Sequence, residues 1–204
     1  MKSPGALKLL DAAVAAIRHR GYAGATVDEI CRAAGVSKGA FFHHFRSKED
    51  LAAAAGQHFN AYADRLLFAA PFMSLEDPRE RLLGYLRLRR EILTGTPAEF
   101  GCYLGTIVQE AHESHPELTA ACGAEIFAHA ARIEAIAAEA KARYAPHESW
   151  SPRELALFTQ AALQGAFVLA KAGGGADVAA QCVDRLIDYV ERLLPAPAPT
   201  RIAA

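Results

Sequence analysis

The sequence predicts an all-α protein of about nine helices, and three observations support this fold class. Hydrophobic residues make up 52% of the 204 residues, so a packed core is expected. Alanine dominates the apolar content, and apolar residues recur at helical rather than alternating spacing, which favours helices over strands. Capping residues, often followed by proline or glutamate, precede the periodic segments and mark helix starts.

The first helix is predicted at about residues 4–20, because apolar side chains recur there at helical spacing and glycines follow. The second begins at a capping box, in which the Thr26 hydroxyl accepts from the Glu29 amide and the Glu29 carboxylate reaches back. It is short and ends at Gly35, because glycine tolerates the positive φ of a tight turn.

The third helix is predicted at 38–45, with Ser37 as its N-cap. Phe41 and Phe45 are four residues apart and therefore share its buried face. A fourth, longer helix begins at the capping residue Ser47 and runs to about residue 70.

Five further helices are predicted from the same kinds of signal. Prolines at first helical positions begin them, and glycine-rich or proline-rich breaks separate them. Their ranges are about 78–94, 100–113, 116–144, 152–172 and 177–194. The Pro/Ala tail, 195–204, is predicted to be extended and disordered.

The charge is distributed unevenly along the chain. Residues 1–50 carry eight Lys/Arg against five Asp/Glu, a net charge of +3, and the remainder carries 14 against 18, or −4. A positively charged N-terminal segment followed by a negatively charged remainder is expected when only one end of the protein contacts phosphates. The sequence shows no membrane-length apolar run, secretory signal or paired cysteines, so a cytoplasmic location is predicted.

Residues 26–48 predict a helix-turn-helix, in which the second helix enters the major groove of DNA. The outer face of that helix begins with small residues, which allow a close approach to DNA, and continues with His43 and His44 as hydrogen-bond donors. The alternative is that two short helices merely pack together. It is disfavoured because the segment is basic and its pattern is ordered.

The run TVDEICRAAGVSKGAFFHHFRSKEDL, residues 26–51, resembles the DNA-binding signature of the tetracycline-repressor (TetR) family. The resemblance covers about the first quarter of the chain. It implies that Thr26 and Lys48 bind phosphates and that Phe42 and His44 flank the DNA backbone. It also implies that five residues lie at the base edges: Ser37, Lys38, Gly39, Ala40 and His43. Where the family commonly has tyrosine this chain has Phe42, which cannot hydrogen-bond a phosphate and so loses about 1 kcal/mol at that contact.

The resemblance also implies a helical body, 49–194, that follows a DNA-binding domain, 1–48, and that holds a ligand cavity and dimerises through its last two helices. The predicted cavity residues are Phe59, Tyr62, Leu66, Tyr103, Ile107, Phe127, Trp150, Phe158 and Phe167. The predicted dimer interface comprises Leu155, Phe158, Ala162, Ala166, Leu169, Val183, Ile187 and Val190. The alternative for each of these residues is plain core, which residues of this kind form more often than ligand contacts. Cys102 is interpreted as an inert thiol rather than a redox sensor, because no basic residue lies nearby in sequence.

The predicted function is a ligand-responsive repressor, whose homodimer binds a palindromic double-stranded DNA operator and is released by a small-molecule effector of unknown identity. The alternative is a helix-turn-helix regulator without an effector, acting as an activator or architectural factor. No nucleophile–base pair or cofactor loop is recognisable, so neither enzymatic activity nor a cofactor is predicted. His112 and His115 are three residues apart and Pro116 follows, so no metal site is predicted.

Overall fold

The protein is described by a computed structural model that covers residues 3–196. Within that range it is all helical, which confirms the predicted fold class. The helices are α1 (Pro4–Gly24), α2 (Val27–Ala34), α3 (Lys38–His44), α4 (Lys48–Phe68), α5 (Pro78–Glu91), α6 (Pro97–Phe100), α7 (Tyr103–Ala111), α8 (Pro116–Tyr144), α9 (Pro152–Leu169) and α10 (Gly175–Leu193). A 3-10 turn, Pro71–Ser74, precedes α5, and a π-helical turn, Ala170–Gly174, joins α9 to α10.

Several predicted helix starts depend on local capping, and the structure confirms the caps at Ser37, Ser47 and Ser151. Ser37, Ser47 and Ser151 each accept a hydrogen bond from the amide three residues ahead, at 3.0–3.1 Å. Proline occupies the first turn of α1, α5, α6, α8 and α9, where its missing N–H costs no helical hydrogen bond.

All nine predicted helices are present in the part of the chain that the structure describes, together with one additional turn, α6. Thr96 and Glu99 form a capping box that starts α6. Helix α7 begins later than predicted, because Cys102 caps it with Sγ 3.3 Å from the Gly105 amide. Of the predicted tail, only Pro195 and Ala196 lie within the described residues.

The apolar side chains form three clusters. The first joins α1, α2 and α3 to the beginning of α4, to α7 and to the start of α8, and includes Leu10, Ile17 and Phe41. The second lies between α5, α8, α9 and α10, around Tyr85 and Ile133. The third joins Leu93 to α9 and α10. The predicted domain boundary at residue 48 therefore falls at the first residue of α4. The next turn of α4 is buried together with the N-terminal helices.

Among the described residues, one segment, Pro152–Leu193, is long and apolar enough to cross a membrane by length and composition alone. It comprises α9 and α10, which pack against each other across the turn at Gly173 and Gly175, both with positive φ. Length and composition are weak evidence for a membrane span in a single segment of this kind.

Candidate nucleic-acid interface and cavity

Helices α2 and α3 form a helix-turn-helix whose shape is set by local hydrogen bonds. Thr26 Oγ1 accepts from the Glu29 amide at 3.2 Å, and the Glu29 carboxylate accepts from the Thr26 amide at the same distance. Hydrogen bonds from the Thr26 amide and the Thr26 hydroxyl to the Glu29 carboxylate hold the pKa of that carboxyl below its usual value. Gly35 ends α2 with φ 63°, a left-handed conformation that glycine adopts without strain.

The buried back of α3 fixes which of its faces is free. Phe41 is fully buried and Phe45 nearly so. Of the residues predicted to contact DNA, six are exposed: Thr26, Ser37, Lys38, Gly39, Phe42 and His43. The other three are half-buried: Ala40, His44 and Lys48. All nine lie on α3, at the N-caps of α2 and α3 or at the first residue of α4, and none of them is fully buried.

Three of these side chains, those of Lys38, Lys48 and His44, contact residues that are distant in sequence. Lys38 Nζ lies 2.8 Å from Asp28 Oδ1, and this partner raises the pKa of the lysine ammonium. Lys48 Nζ lies 4.3 Å from the centroid of the Tyr22 ring, and burial lowers its pKa. His44 Nε2 lies 3.5 Å from the hydroxyl of the N-cap serine of α1. DNA would therefore compete with Asp28 for Lys38.

A cavity of about 60 Å³, the inner chamber, lies among helices α4 to α9. A more open space of about 290 Å³, the outer cleft, adjoins it. The two share four lining residues: Phe59, Ala63, Arg89 and Phe100. Four of the predicted cavity residues lie here, with Phe59 in both spaces, Phe167 in the inner chamber, and Tyr62 and Leu66 in the outer cleft.

The other five predicted cavity residues line neither space. Tyr103 and Ile107 are fully buried in the first cluster, and Trp150 packs against the second. Phe127 and Phe158 are 60% and 49% exposed. Helical spacing alone cannot separate these positions, because an aromatic side chain fits a core, a cavity wall or a surface contact equally well.

The inner chamber has a polar lining that the sequence analysis missed: Asn60, Arg89, His129, Gln160 and Gln164. One feature of the sequence does point to this polar lining. Gln160 and Gln164 are four residues apart in the otherwise apolar helix α9, so they share a face. Gly105 also acquires a role here, because a Cβ at this position would lie 2.3 Å from Gln164 Oε1. A side chain there would displace the Gln164 amide from α7.

A buried polar network adjoins the chamber. Tyr85 Oη lies 2.9 Å from His129 Nε2. Asp64 Oδ1 lies 3.9 Å from His129 Nδ1 and 3.1 Å from Arg132 Nη1. Burial, and then the charges of Arg89 and Arg132, lower the pKa of His129 to about 3. The imidazole is therefore neutral near pH 7, and His129 Nε2 and the Tyr85 hydroxyl share one hydrogen bond.

Exposed apolar side chains extend over one side of α8, α9 and α10: Phe127, Leu157, Phe158, Val168, Leu169 and Tyr189. The Phe158 and Tyr189 rings are in edge contact, with centroids 5.2 Å apart. Phe127 and Leu157 line one shallow depression. We call these six residues the apolar face.

The predicted dimer stripe coincides only partly with the apolar face. Phe158 and Leu169 belong to it, and Ala162 and Ile187 are half-buried. Leu155, Ala166, Val183 and Val190 are buried inside the chain itself. This corrects the prediction for those four, because α9 and α10 turn these side chains toward each other and toward α5 and α8. They are not available to a partner.

Two family models match the chain. Residues 9–55 match the model described as bacterial regulatory proteins of the tetR family. Residues 78–178 match the C-terminal domain of LmrA/YxaF-like transcriptional regulators. The matched ranges contain the helix-turn-helix and most of the helices that line the inner chamber.

The relatives and solved structures that resemble the chain are also named as regulatory proteins. The transcriptional regulator AcuR of Cereibacter sphaeroides is 34% identical over 102 residues, which are 50% of this chain and 47% of that protein. The HTH-type transcriptional repressor DhaR of a Mycobacterium sp. is 30% identical over 109 residues, 53% of each protein. The matches thus span about half the length of these relatives. The crystal structure of a regulatory protein TetR from Rhodobacter sphaeroides superposes with a TM-score of 0.80 at 27% identity, covering 94% of this chain and 99% of that one.

Proposed function

The chain belongs to the TetR family of bacterial transcriptional regulators, and from this premise we propose that it is a ligand-responsive repressor. Its homodimer would bind a palindromic operator, and a small molecule bound in the body would release it. Members of the family regulate transcription and are not enzymes. The proposed site of action is the cytoplasm, where the operator lies.

The proposal that the protein binds DNA rests on one observation, the exposed outer face of α3. Its back is fixed by Phe41 and Phe45, and its front presents small residues followed by His43. This front lies in the segment with a net charge of +3, which suits the phosphate contacts that dominate DNA affinity. Thr26 and Lys48 would bind phosphates, and the front of α3 would read base edges.

The apolar face supports a homodimer. Single exposed hydrophobic residues are ordinary, but a contiguous set on adjacent helices marks an interaction surface. In a twofold dimer the same patch meets itself, and two helices from each copy would form a four-helix bundle. The two recognition helices must then lie about 34–36 Å apart to enter successive major grooves.

The cavity supports regulation by a ligand. Phe59 lines both cavity spaces and stands on α4, the helix that begins at Lys48 in the predicted DNA interface. The Arg18 guanidinium carbon of α1 lies 5.6 Å from the Phe59 ring. A ligand that favours the state with altered helix spacing by about 1–3 kcal/mol would weaken operator binding about 5- to 150-fold.

The first experiment is fluorescence anisotropy of the full-length protein with the DNA upstream of its own gene, at two salt concentrations and with excess competitor DNA. We expect saturable, competitor-resistant binding that weakens as salt rises. His43→Ala should weaken it, whereas His147→Ala removes an exposed histidine outside the interface and should not. Binding no tighter than to random DNA would contradict autoregulation through this site.

Ligand response is tested on the same complex. A compound that raises the melting temperature of the protein and lowers its operator affinity supports the repressor with an effector, because a ligand of the folded state stabilises it by mass action. If compounds bind without changing operator affinity, the regulator without an effector is favoured instead.

A further inference from the structure

Arg89 brings a positive charge to the inner chamber that no described residue neutralises. Its neighbours on α5 point outward and are paired, Arg87 with Glu80 and Glu191 and Arg90 with Asp184. Within residues 3–196, Arg89 has no hydrogen bond or ion pair. Its guanidinium carbon lies 5.7 Å from the Phe167 ring instead.

No carboxylate lines the inner chamber within the described range. The acids that adjoin it have partners of their own: Asp64 lies 3.1 Å from Arg132, and Glu125 accepts from Asn60 Nδ2 at 2.6 Å. Glu99, which lines the outer cleft, accepts from the Thr96 amide at 2.6 Å. His129 is neutral near pH 7, so it adds no second positive charge to the chamber. A half-buried cation with no counter-charge is unfavourable, so the chamber is electrostatically suited to an anion.

The chamber also offers an unused hydrogen-bond donor. Gln160 Nε2 is buried and makes no hydrogen bond of standard geometry within the described residues, although the Gln160 amide lies within reach of the Tyr85 hydroxyl. Gln160 Nε2 and the N–H groups of Arg89 are donors of chamber-lining residues that have no acceptor at standard hydrogen-bond geometry. An unpaired buried donor costs free energy, and an acceptor-only ligand such as a carboxylate would relieve that cost at both residues.

The size and walls of the chamber limit the anion further. The enclosed space is small, about 60 Å³, so the enclosed part of a ligand has only a few non-hydrogen atoms. Apolar side chains form most of the remaining wall, among them Phe59, Leu104 and Ile126. A monoanion with a hydrocarbon part fits these walls better than a doubly charged phosphate.

We propose that the effector of this regulator is a small organic carboxylate. Its carboxylate binds Arg89 and Gln160, and its hydrocarbon part lies against Phe59 and Phe167, with the outer cleft taking any longer chain. This inference rests on the proposed function, because it assigns the ligand class of the same cavity.

The test is isothermal titration calorimetry of the full-length protein with sodium propanoate, with propanamide and inorganic phosphate as comparison ligands. Propanoate should bind at least about 10-fold more tightly than propanamide, which has the same shape but no charge. Equal binding of the acid and the amide, or tighter binding of phosphate, would overturn the assignment.

Variants locate the site. Arg89→Gln should weaken propanoate binding about 10-fold or more, whereas the matched control Arg90→Gln removes an outward-facing charge of the same helix and should leave it unchanged. Gln160→Glu places a carboxylate beside Arg89 and keeps that arginine paired, so it should fold and block propanoate. If Gln160→Glu binds propanoate as the unchanged protein does, the proposed site is wrong.

Operator binding separates this inference from the proposed function. Anisotropy without ligand reports DNA binding alone, and Arg89→Gln should retain it. If a neutral compound releases the operator and Arg89→Gln does not alter its effect, ligand response stands and the carboxylate assignment fails. If propanoate binds through Arg89 and operator affinity is unchanged, the carboxylate site stands and the repressor mechanism fails.

Discussion

At the scale of single residues, the predicted DNA interface includes a lysine that is already paired. Lys38 and Asp28 form an ion pair with side chains 60% and 63% exposed. Exposed pairs of this kind contribute little to stability, because water screens them and their side chains lose entropy. Lys38 can therefore exchange Asp28 for a phosphate or a base edge at little cost.

Replacing Asp28, the ion-pair partner of Lys38, should strengthen DNA binding. Asp28→Asn removes a negative charge beside the recognition helix and frees Lys38, so operator affinity should rise several-fold at low salt and less at high salt. Fluorescence anisotropy across a salt series measures this. Asp188→Asn makes the same charge change beside Arg185 on α10, and an equal gain in that control would contradict a local effect.

His129 should make stability depend on pH above the range where carboxylates titrate. Its pKa is about 3 in the folded protein, against 6.5 ordinarily, so below pH 6.5 the unfolded chain takes up a proton that the folded chain does not. The free energy of unfolding is therefore constant with respect to this group above pH 6.5 and falls as pH falls below it. Between pH 7 and pH 5 the loss is about 2 kcal/mol.

Urea denaturation at several pH values measures this loss. His129→Gln removes the titrating group and keeps an acceptor for the Tyr85 hydroxyl, so its unfolding free energy should vary less over the same interval. The pKa of Glu29 and of Glu99 is lowered by hydrogen bonds from threonine, and these groups act only at lower pH. An unchanged slope in His129→Gln would show that another group is responsible.

At the scale of the helices, glycines with positive φ shape the N-terminal elements, since Gly35 ends α2 and Gly21 forms a kink inside α1. Gly35 has φ 63° and no atom within 4 Å of the position that a Cβ would occupy, whereas Gly21 has φ 79° and ψ 169°. The first conformation is left-handed helical and is tolerated by asparagine, but the second is accessible essentially to glycine alone. The Glu110 carboxylate occupies the space beside Gly21 and accepts from the Ala23 amide at 3.3 Å.

The two glycines should differ in their response to alanine. Gly35→Ala should cost about 1–2 kcal/mol of unfolding free energy, the strain of the left-handed conformation alone. Gly21→Ala should cost about 3 kcal/mol, because backbone strain combines with loss of the Glu110 hydrogen bond. Chemical denaturation compares them, and Gly35→Asn should be nearly neutral. Equal costs at both positions would contradict this account.

At the scale of the whole molecule, the DNA-binding helices and the body share one packed interior. The first cluster contains residues of α1, α2 and α3 together with α4, α7 and the start of α8. Packed interiors move as units rather than deforming continuously. A ligand that shifts α4 through Phe59 therefore acts on the helix that carries Lys48, without a flexible connection between cavity and interface.

The apolar face should hold the dimer together. Phe158→Glu or Leu169→Glu places a charge on this face, which should weaken dimerisation by about 2 kcal/mol or more and lower operator affinity with it. Analytical ultracentrifugation measures the mass. Leu75→Glu alters an exposed leucine outside the face and serves as the control. A dimer that survives both substitutions would place the interface elsewhere.

The sequence alone determined what depends on neighbouring residues. The capping box at Thr26, the left-handed turn at Gly35 and the shared face of Phe41 and Phe45 are interactions within four residues, so the helices and the helix-turn-helix follow from local chemistry. The first turn of α7 is the exception, because capping by the Cys102 sulfur gives a weaker signal than capping by serine or threonine.

Only the tertiary structure decided what depends on how helices are rotated about their axes. Helix α9 is apolar on more than one side, so its spacing could not tell Leu155, which is buried in the chain, from Phe158, which is exposed. The buried polar network beside the chamber also depends on tertiary packing. Tyr85 and His129 are 44 residues apart in sequence and meet only when α5 packs on α8. Local periodicity states that a helix has an apolar side, but the identity of its neighbour is fixed by the packing of the whole chain.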